Sequence, residues 1–318
     1  MKIIRHFEDV PASCRAAIVA IGNFDGVHRG HQALIARASM VAKEKSAPLG
    51  VLAFEPHPQE FFRPEAECFR LTPFRSKARL LSQNGVNVLY AFPFDAALAK
   101  QSAEEFVRIV LVDSLGVRGI VIGDDFRFGK ERGGNAGFLE AKGRELGFSV
   151  ELFAPVTSSG EQKISSTDIR TALRSGRPEE AAALLGHWWT IEGHVQNGDH
   201  RGRELGYPTA NLNLKGYLRP AFGVYAVRAR VVEGDKAVAC HAGVANLGVR
   251  PMFKTHEPLL ETHLLGFSGN LYGKHLAVEL ISYLRPELNL DSVEALKSYM
   301  KTDVAAALAA LDHAGVRC

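Results

Sequence analysis

The stretch Gly22-Asn23-Phe24-Asp25-Gly26-Val27-His28-Arg29-Gly30-His31 decides how the first half of the chain is read. Before it runs Ala16-Ala17-Ile18-Val19-Ala20-Ile21, a short apolar segment of the kind a fully buried parallel strand shows. After it, residues 31–42 place Leu34, Ile35, Ala38 and Val41 at helical spacing. A strand therefore enters a helix through a glycine-rich turn. Gly22, Gly26 and Gly30 let the backbone bend tightly and approach a ligand, and the helix start offers unpaired N–H groups with a partial positive charge. His28 and His31 stand at that mouth, where imidazole N–H groups donate to phosphate oxygens. A glycine turn alone is only a tight connection; with two histidines in it, the turn reads as an anion site.

Further segments extend the pattern. Residues 49–54 read as a second buried strand, halted by Glu55-Pro56-His57-Pro58, whose prolines are expected to forbid helix and leave His57 in a rigid loop. Residues 75–83 read as a helix, 86–92 as a strand, 103–115 as an amphipathic helix, 119–122 as a strand, 138–146 as a helix and 148–153 as a strand. Strand and helix in alternation mean a parallel sheet covered on both faces, Rossmann-like in class. Ligands bind beyond the carboxyl ends of such strands, so the loop Gly123-Asp124-Asp125-Phe126-Arg127-Phe128-Gly129-Lys130 shares a crevice with the opening turn, and Asp125 becomes a candidate nucleotide or flavin contact. In Ile164-Ser165-Ser166-Thr167-Asp168-Ile169-Arg170, Ser165 or Ser166 is placed to cap a helix. Three hydroxyls and the planar fork of Arg170 at one helix start also suit a triphosphate.

These strings carry a resemblance. The opening decapeptide is similar to the signature of nucleotidyltransferases with a His-x-Gly-His turn, and in its fuller form it resembles the adenylyltransferase half of bacterial bifunctional riboflavin kinase/FAD synthetases. The Asp125 loop resembles that family's Gly-x-Asp-Phe-x-Phe-Gly motif, and Ile164 to Arg170 its Ile-Ser-Ser-Thr-x-Ile-Arg motif. The resemblance implies that Gly22, Phe24, Asp25, Gly30, Asp125, Ser165, Ser166 and Thr167 bind substrate, with His28, His31 and Arg170 acting on the phosphates.

At 318 residues the chain exceeds most single cores, and two domains are expected. A proline-started helix over residues 178–185, ended by Gly186, is expected to close the first domain, giving domains 1–186 and 187–318. Beyond it the period changes to alternation in residues 188–195, 223–232, 238–244, 260–267 and 275–283, separated by glycine, asparagine and proline turns, which predicts a small antiparallel barrel. Asp291 and Glu294 look like a capping box for a last helix whose stripe of Val293, Leu296, Tyr299, Met300 and Val304 would pack on the barrel.

Gly202-Arg203-Glu204-Leu205-Gly206-Tyr207-Pro208-Thr209-Ala210-Asn211 sets a hydroxyl and an amide two residues apart beyond a proline. Neutral oxygen ligands of that kind suit a magnesium already held by ATP, although Pro-Thr-Ala-Asn is common in ordinary turns. The string resembles the flavokinase motif Gly-Arg-x-Leu-Gly-x-Pro-Thr-Ala-Asn. That resemblance implies substrate binding by Gly202, Arg203 and Pro208, metal and phosphate ligation by Thr209 and Asn211, and a general-base role for Glu261 in Glu261-Thr262-His263. Gly266, Met252 and Leu290 depart from the family's common Asp, Thr and Phe. None of the three is a residue to which the motifs assign chemistry.

The implied activity is phosphorylation of riboflavin to FMN and adenylylation of FMN to FAD, with Mg²⁺ as cofactor and ATP, riboflavin, FMN and FAD as substrates or products. Alternatives are a nucleotidyltransferase with another phosphate acceptor and a non-catalytic flavin or nucleotide sensor. A net charge of +3 gives no broad basic face, so neither nucleic acid nor membrane is an expected partner. Cys14, Cys68, Cys240 and Cys318 lack a Cys-x-x-Cys pair and read as reduced thiols. With no segment of membrane-spanning length, a cytoplasmic monomer or weak homo-oligomer is expected.

Overall fold

The structure, a computed structural model, describes residues 1–154, 156, 163–196, 206–234, 236–249, 258–288 and 292–318. It divides into two compact units, Met1–Glu67 with Phe74–Ser165, and Cys68–Pro73 with Ser166–Cys318.

The first unit is built on a parallel sheet of β1 (Lys2–Ile4), β2 (Ile18–Ile21), β3 (Leu49–Phe54), β4 (Val88–Phe92), β5 (Gly119–Gly123) and, later in the chain, β8 (Ser149–Phe153). Its order is β1-β4-β3-β2-β5-β8. A two-stranded ribbon, β6 (Arg127–Phe128) with β7 (Gly134–Asn135), rises from the loop after β5. The helices are α1 (Arg29–Glu44), α2 (Pro58–Phe62), α3 (Phe74–Gln83), α4 (Ala96–Lys100), α5 (Ala103–Glu105) running into a π-helical stretch (Phe106–Ser114), and α6 (Ala136–Leu146). Successive residues of β2 feed opposite cores: Ile18 and Ala20 pack with α1 and α3, Val19 and Ile21 with Phe106 and Val107. Burial on both faces is why the strand reads as an unbroken apolar run.

Chain order reverses at β2, whose two neighbours are β3 and β5. The loops after β2 and β5 therefore diverge from a topological switch point, where an open α/β sheet forms its ligand crevice. Two features differ from expectation. β1 pairs in parallel with β4 through Lys2↔Val88 and Ile4↔Tyr90, an edge strand too short to leave a periodic signal. The prolines after β3 do not exclude helix: Pro58 is the first residue of α2, where its missing N–H costs nothing, and His57 is the N-cap whose Nδ1 accepts from Gln59 N at 3.1 Å.

The second unit opens with α7 (Ser166–Arg174) and α8 (Pro178–Leu185) and continues with β9 (Thr190–His194), β10 (Thr209–Asn213), β11 (Gly223–Glu233), β12 (Lys236–Val249), β13 (Pro258–Leu264), β14 (His275–Arg285) and α9 (Val293–His313). The strands form one antiparallel sheet in the order β10-β13-β12-β11-β14-β9. Its two ends meet at a bridge in which Gln196 N donates to Asn211 O at 3.0 Å, curling the sheet into a small barrel. Inside lie Ile191, Leu212, Tyr225, Leu247, Leu260 and Val278. Ile169, Leu173, Ala181 and Leu185 belong to this same core, so α7 and α8 pack with the barrel. Their apolar spacing marks a buried face without naming the core that buries it.

Helix α9 covers the outer face with Ala307 and Leu311 against Ala226 and Ile281, and Arg285 grips Asp303 through two bonds of 2.8 and 2.7 Å. Tyr299 is instead exposed, with the Arg285 guanidinium 5.4 Å from its ring. The helix is capped by Ser292, whose hydroxyl accepts from Ala295 N at 3.1 Å; Asp291 lies outside the described residues. Two of the four cysteines are not free thiols: Cys240 and Cys318 form a disulfide with Cα atoms 5.1 Å apart across a separation of 78 residues. A spacing rule based on Cys-x-x-Cys could not see a pair assembled by folding.

Candidate active sites

The turn after β2 is backbone-strained. Phe24 (φ 51°), Gly26 (φ 82°) and Val27 (φ 42°) are all left-handed, a conformation costly for a β-branched side chain and concentrated at functional sites. Phe24 is fully buried in the core beneath α1, and Asp25 is 2% exposed. Gly22 leaves room for the Phe24 ring, since a Cβ there would lie 3.3 Å from it.

His28 is the N-cap of α1, and its Nδ1 accepts from His31 N at 3.4 Å. An accepting Nδ1 puts the proton of the neutral ring on Nε2, which is then a donor. The two imidazoles stack with centroids 3.6 Å apart, and the Phe24 ring lies 5.1 Å from His31. Gly30 leaves room for this arrangement, because a Cβ would come within 3.1 Å of the His28 ring. Burial, then the charges of His28 and Lys77, hold the His31 pKa well below the ordinary imidazole value, and its Nδ1 has no hydrogen-bond partner.

The other predicted residues lie on several elements. The Ile164 carbonyl, one residue before Ser165, lies 3.8 Å from where a Gly30 Cβ would be. Asp125, on the loop after β5, is ion-paired to Lys163, one residue before Ile164. Ser166, Thr167 and Arg170 open α7 in the second unit, where Arg170 Nε donates to Phe69 O at 2.8 Å with its guanidinium 5.0 Å from the Phe69 ring.

A wall of rings also runs from the end of β3 toward the Asp125 loop. Phe94 lies 5.8 Å from Phe54, 5.5 Å from Phe61 and 5.7 Å from Phe62; Phe106 lies 6.3 Å from Phe54 and 5.4 Å from Phe128. Phe62 is 65% exposed, enough to present a face to a planar ligand. Of these rings only those of the Asp125 loop belong to a sequence motif; the doublet Phe61-Phe62 is the local signal for the rest.

In the second unit, Pro208-Thr209-Ala210-Asn211 is not a turn: Thr209–Asn213 is strand β10, paired with β13. Its register sets Asn211 directly opposite Glu261 and Thr209 opposite His263. On the other side of Glu261 stands Asn246 of β12. Residues two apart on a strand share a face, so Thr209, Asn211, Glu261 and Asn246 form one polar patch, while Ala210, Leu212, Leu260 and Leu264 point into the core. Glu261 is half-buried. Asn211 is 3% exposed, and its Oδ1 has no hydrogen-bond partner. A buried carbonyl oxygen beside a hydroxyl is the donor set that a hard cation sharing ATP oxygens requires, so these residues fit Mg²⁺. Asn246 also donates to Glu287 Oε1 at 3.1 Å, a link the sequence did not disclose. Gly202, Arg203, Met252 and Leu290 lie outside the described residues.

Residues 10–168 match the FAD synthetase family and residues 185–311 the riboflavin kinase family. A bifunctional riboflavin kinase/FMN adenylyltransferase from Pseudomonas fluorescens is 42% identical over 313 residues, covering 97% of each chain. The chain belongs to the bifunctional riboflavin kinase/FMN adenylyltransferase family. A family member from Escherichia coli K12 is 38% identical over 95% of this chain and 96% of its own. Among solved structures, a protein from Streptococcus pneumoniae described as a macrolide-efflux protein shares 29% identity and superposes with a TM-score of 0.84 over 96% of this chain and 97% of its own. No helix among the described residues here is long and apolar enough to cross a membrane. Among the described residues, the glycine turn follows strand β2, the Asp125 loop follows β5, and Thr209, Asn211 and Glu261 lie on paired strands.

Proposed function

We propose that this protein phosphorylates riboflavin to FMN in residues 187–318 and adenylylates FMN to FAD in residues 1–186, using ATP in both reactions. The observation that carries the kinase half is the β10–β13 register, which sets the carboxylate of Glu261 across from the orphaned Asn211 Oδ1. The ribityl 5′-hydroxyl of riboflavin is a neutral nucleophile and benefits from a base, and Glu261 takes that proton. Thr209 and Asn211 would hold Mg²⁺, which when bound offsets charge on the transferred phosphoryl group.

Adenylyl transfer needs no comparable base. The phosphate of FMN is largely ionised at neutral pH, its second pKa being roughly 6. The residues of the β2 turn instead align that phosphate with the α-phosphorus of ATP and neutralise charge on the equatorial oxygens and departing pyrophosphate. His28 donates from Nε2, and the N–H groups opening α1 add their partial charge. Gly22, Phe24, Asp25 and Gly30 shape the turn, and the substrate contacts of Asp125 and Ser165 rest on their motifs. Phosphate binding by Ser166, Thr167 and Arg170, and substrate binding by Gly202, Arg203 and Pro208, rest on the motifs Ile-Ser-Ser-Thr-Asp-Ile-Arg and Gly-Arg-Glu-Leu-Gly-Tyr-Pro-Thr-Ala-Asn. The ring wall around Phe62 supports an isoalloxazine site. The protein acts as a cytoplasmic monomer or weak homo-oligomer with small-molecule partners.

His31→Ala abolishes FAD formation from FMN while riboflavin phosphorylation persists, and Glu261→Ala does the reverse. Chromatography of products from riboflavin, ATP and Mg²⁺ reads both. Loss of both activities in either folded variant refutes the separation of sites.

A further inference from the structure

Lys77 is an anomaly of the first unit. It sits on α3 among Ala78, Leu80 and Leu81, yet it is 2% exposed. Lysine is almost never fully buried unless paired, and desolvating an ammonium costs several kcal/mol that a single ion pair need not return. A helix serving only to pack would carry an apolar residue there. Nζ bonds Glu55 Oε1 at 2.8 Å, and among the described residues that is its one hydrogen-bond acceptor. An ammonium has three N–H donors, so two have no acceptor in the described protein.

The position of the pair matters as much as its burial. Glu55 follows β3 at the carboxyl end of the sheet, and α3 packs on the Asp25–Val27 turn, sharing a core with Phe24 and Val27. The charge of Lys77 is felt by His31, whose buried Nδ1 is likewise without a partner. Unmet polar valences of two side chains thus occur beside one strained turn.

We propose that Lys77 is a positioning residue for adenylyl transfer: its ammonium, clamped by Glu55 beside the glycine turn, is a built-in positive charge that acts through His31 on the bound triphosphate. The inference rests on assigning adenylyl transfer to this turn. A fixed ammonium in a low-dielectric setting strengthens the hold on anionic oxygens without reorganising during the reaction. It adds to the burial and the His28 charge that keep His31 neutral, so that the ring serves as a directed partner while Lys77 carries the charge. The charged and titratable groups around His31 are His28 and Asp25 in the turn, Lys77 on α3 and, through Lys77, Glu55 at the end of β3.

The test compares Lys77→Arg, Lys77→Met and the neutral pair Lys77→Met/Glu55→Gln in the full-length protein, with riboflavin phosphorylation in the same chain as internal control. Removing the positive charge raises the His31 pKa, so the acid limb of the adenylyl-transfer pH profile moves to higher pH. The KM for ATP in that reaction rises about tenfold, Lys77→Arg restores most of both, and the kinase reaction is unchanged. NMR titration of the imidazole Cε1–H signals follows the His31 shift even in a variant too slow to assay. An unmoved pH profile and unmoved His31 titration in Lys77→Met overturn the proposal, as does equal loss of both activities. If the wild-type protein makes no FAD, or His31→Ala leaves FAD formation intact, the underlying assignment fails instead.

Discussion

Gly30→Ala adds one methyl group to the adenylyl-transfer turn and removes no chemical group. The new Cβ would lie 3.1 Å from both Cε1 and Nδ1 of His28, tighter than nine in ten such contacts, and 3.8 Å from the Ile164 carbonyl. The ring cannot retreat freely, because it is stacked on His31 at 3.6 Å and held by the bond from His31 N. A shift of a few tenths of an ångström in His28 is therefore forced, carrying Nε2 out of line with the phosphate it is proposed to hold. Misplacement by about 1 Å costs on the order of 100-fold in well-aligned reactions, which for a few tenths of an ångström scales to a loss of roughly 3- to 6-fold in kcat for FAD formation. Stability moves little: alanine gains up to about 1 kcal/mol over glycine in a helix, which offsets a strain of similar size. The measurement is the initial rate of FAD formation from FMN and ATP, with riboflavin phosphorylation and the thermal midpoint recorded on the same sample. Unimpaired FAD formation would refute the claim that His28 must hold this position, and parallel loss of both reactions would show general damage.

Three other perturbations test the physical account. Asp303→Ala leaves the Arg285 guanidinium facing the site of a lost partner and releases α9; Arg285 is about one-fifth exposed, so a cost near 2 to 3 kcal/mol in denaturant unfolding of the second unit is expected, below the full buried-pair penalty. His31 makes the first unit acid-sensitive: its folded pKa is depressed, so on acidification the unfolded chain takes up a proton near pH 6.5 that the folded chain refuses. Stability then falls as pH drops below that value, by up to about 1.4 kcal/mol per pH unit, and His31→Asn flattens the slope measured between pH 7 and 5. Reduction with dithiothreitol, or Cys240→Ser, lowers the unfolding midpoint of the second unit by freeing a 78-residue loop, with a chain-entropy ceiling of about 4.5 kcal/mol; an unchanged midpoint would mean that the closure does not constrain the unfolded chain.

How much was written in the chain order differs between the two sites. The strand, glycine turn and helix around His28 are local, and their residue types announce both backbone path and chemistry, because a left-handed turn, an N-cap and a buried strand each restrict composition within a few positions. The wall of rings and the Glu55–Lys77 pair are not local: Glu55 and Lys77 are ordinary surface residues in sequence, and only the packing of α3 against the turn buries them together.

For the kinase site, the sequence by itself determined the types present, a hydroxyl and an amide two positions apart and a glutamate in an alternating segment. Only the tertiary structure decided that Pro208-Thr209-Ala210-Asn211 enters a strand and that Asn211 faces Glu261, fifty positions away. It likewise decided that Cys240 meets Cys318 and that α7 and α8 complete the core of the barrel. The physical reason is common to all three. Local sequence fixes which face of an element is apolar and where the backbone bends, whereas strand register and the choice of packing partner are set by burying those faces together, a condition met only when the whole unit has folded.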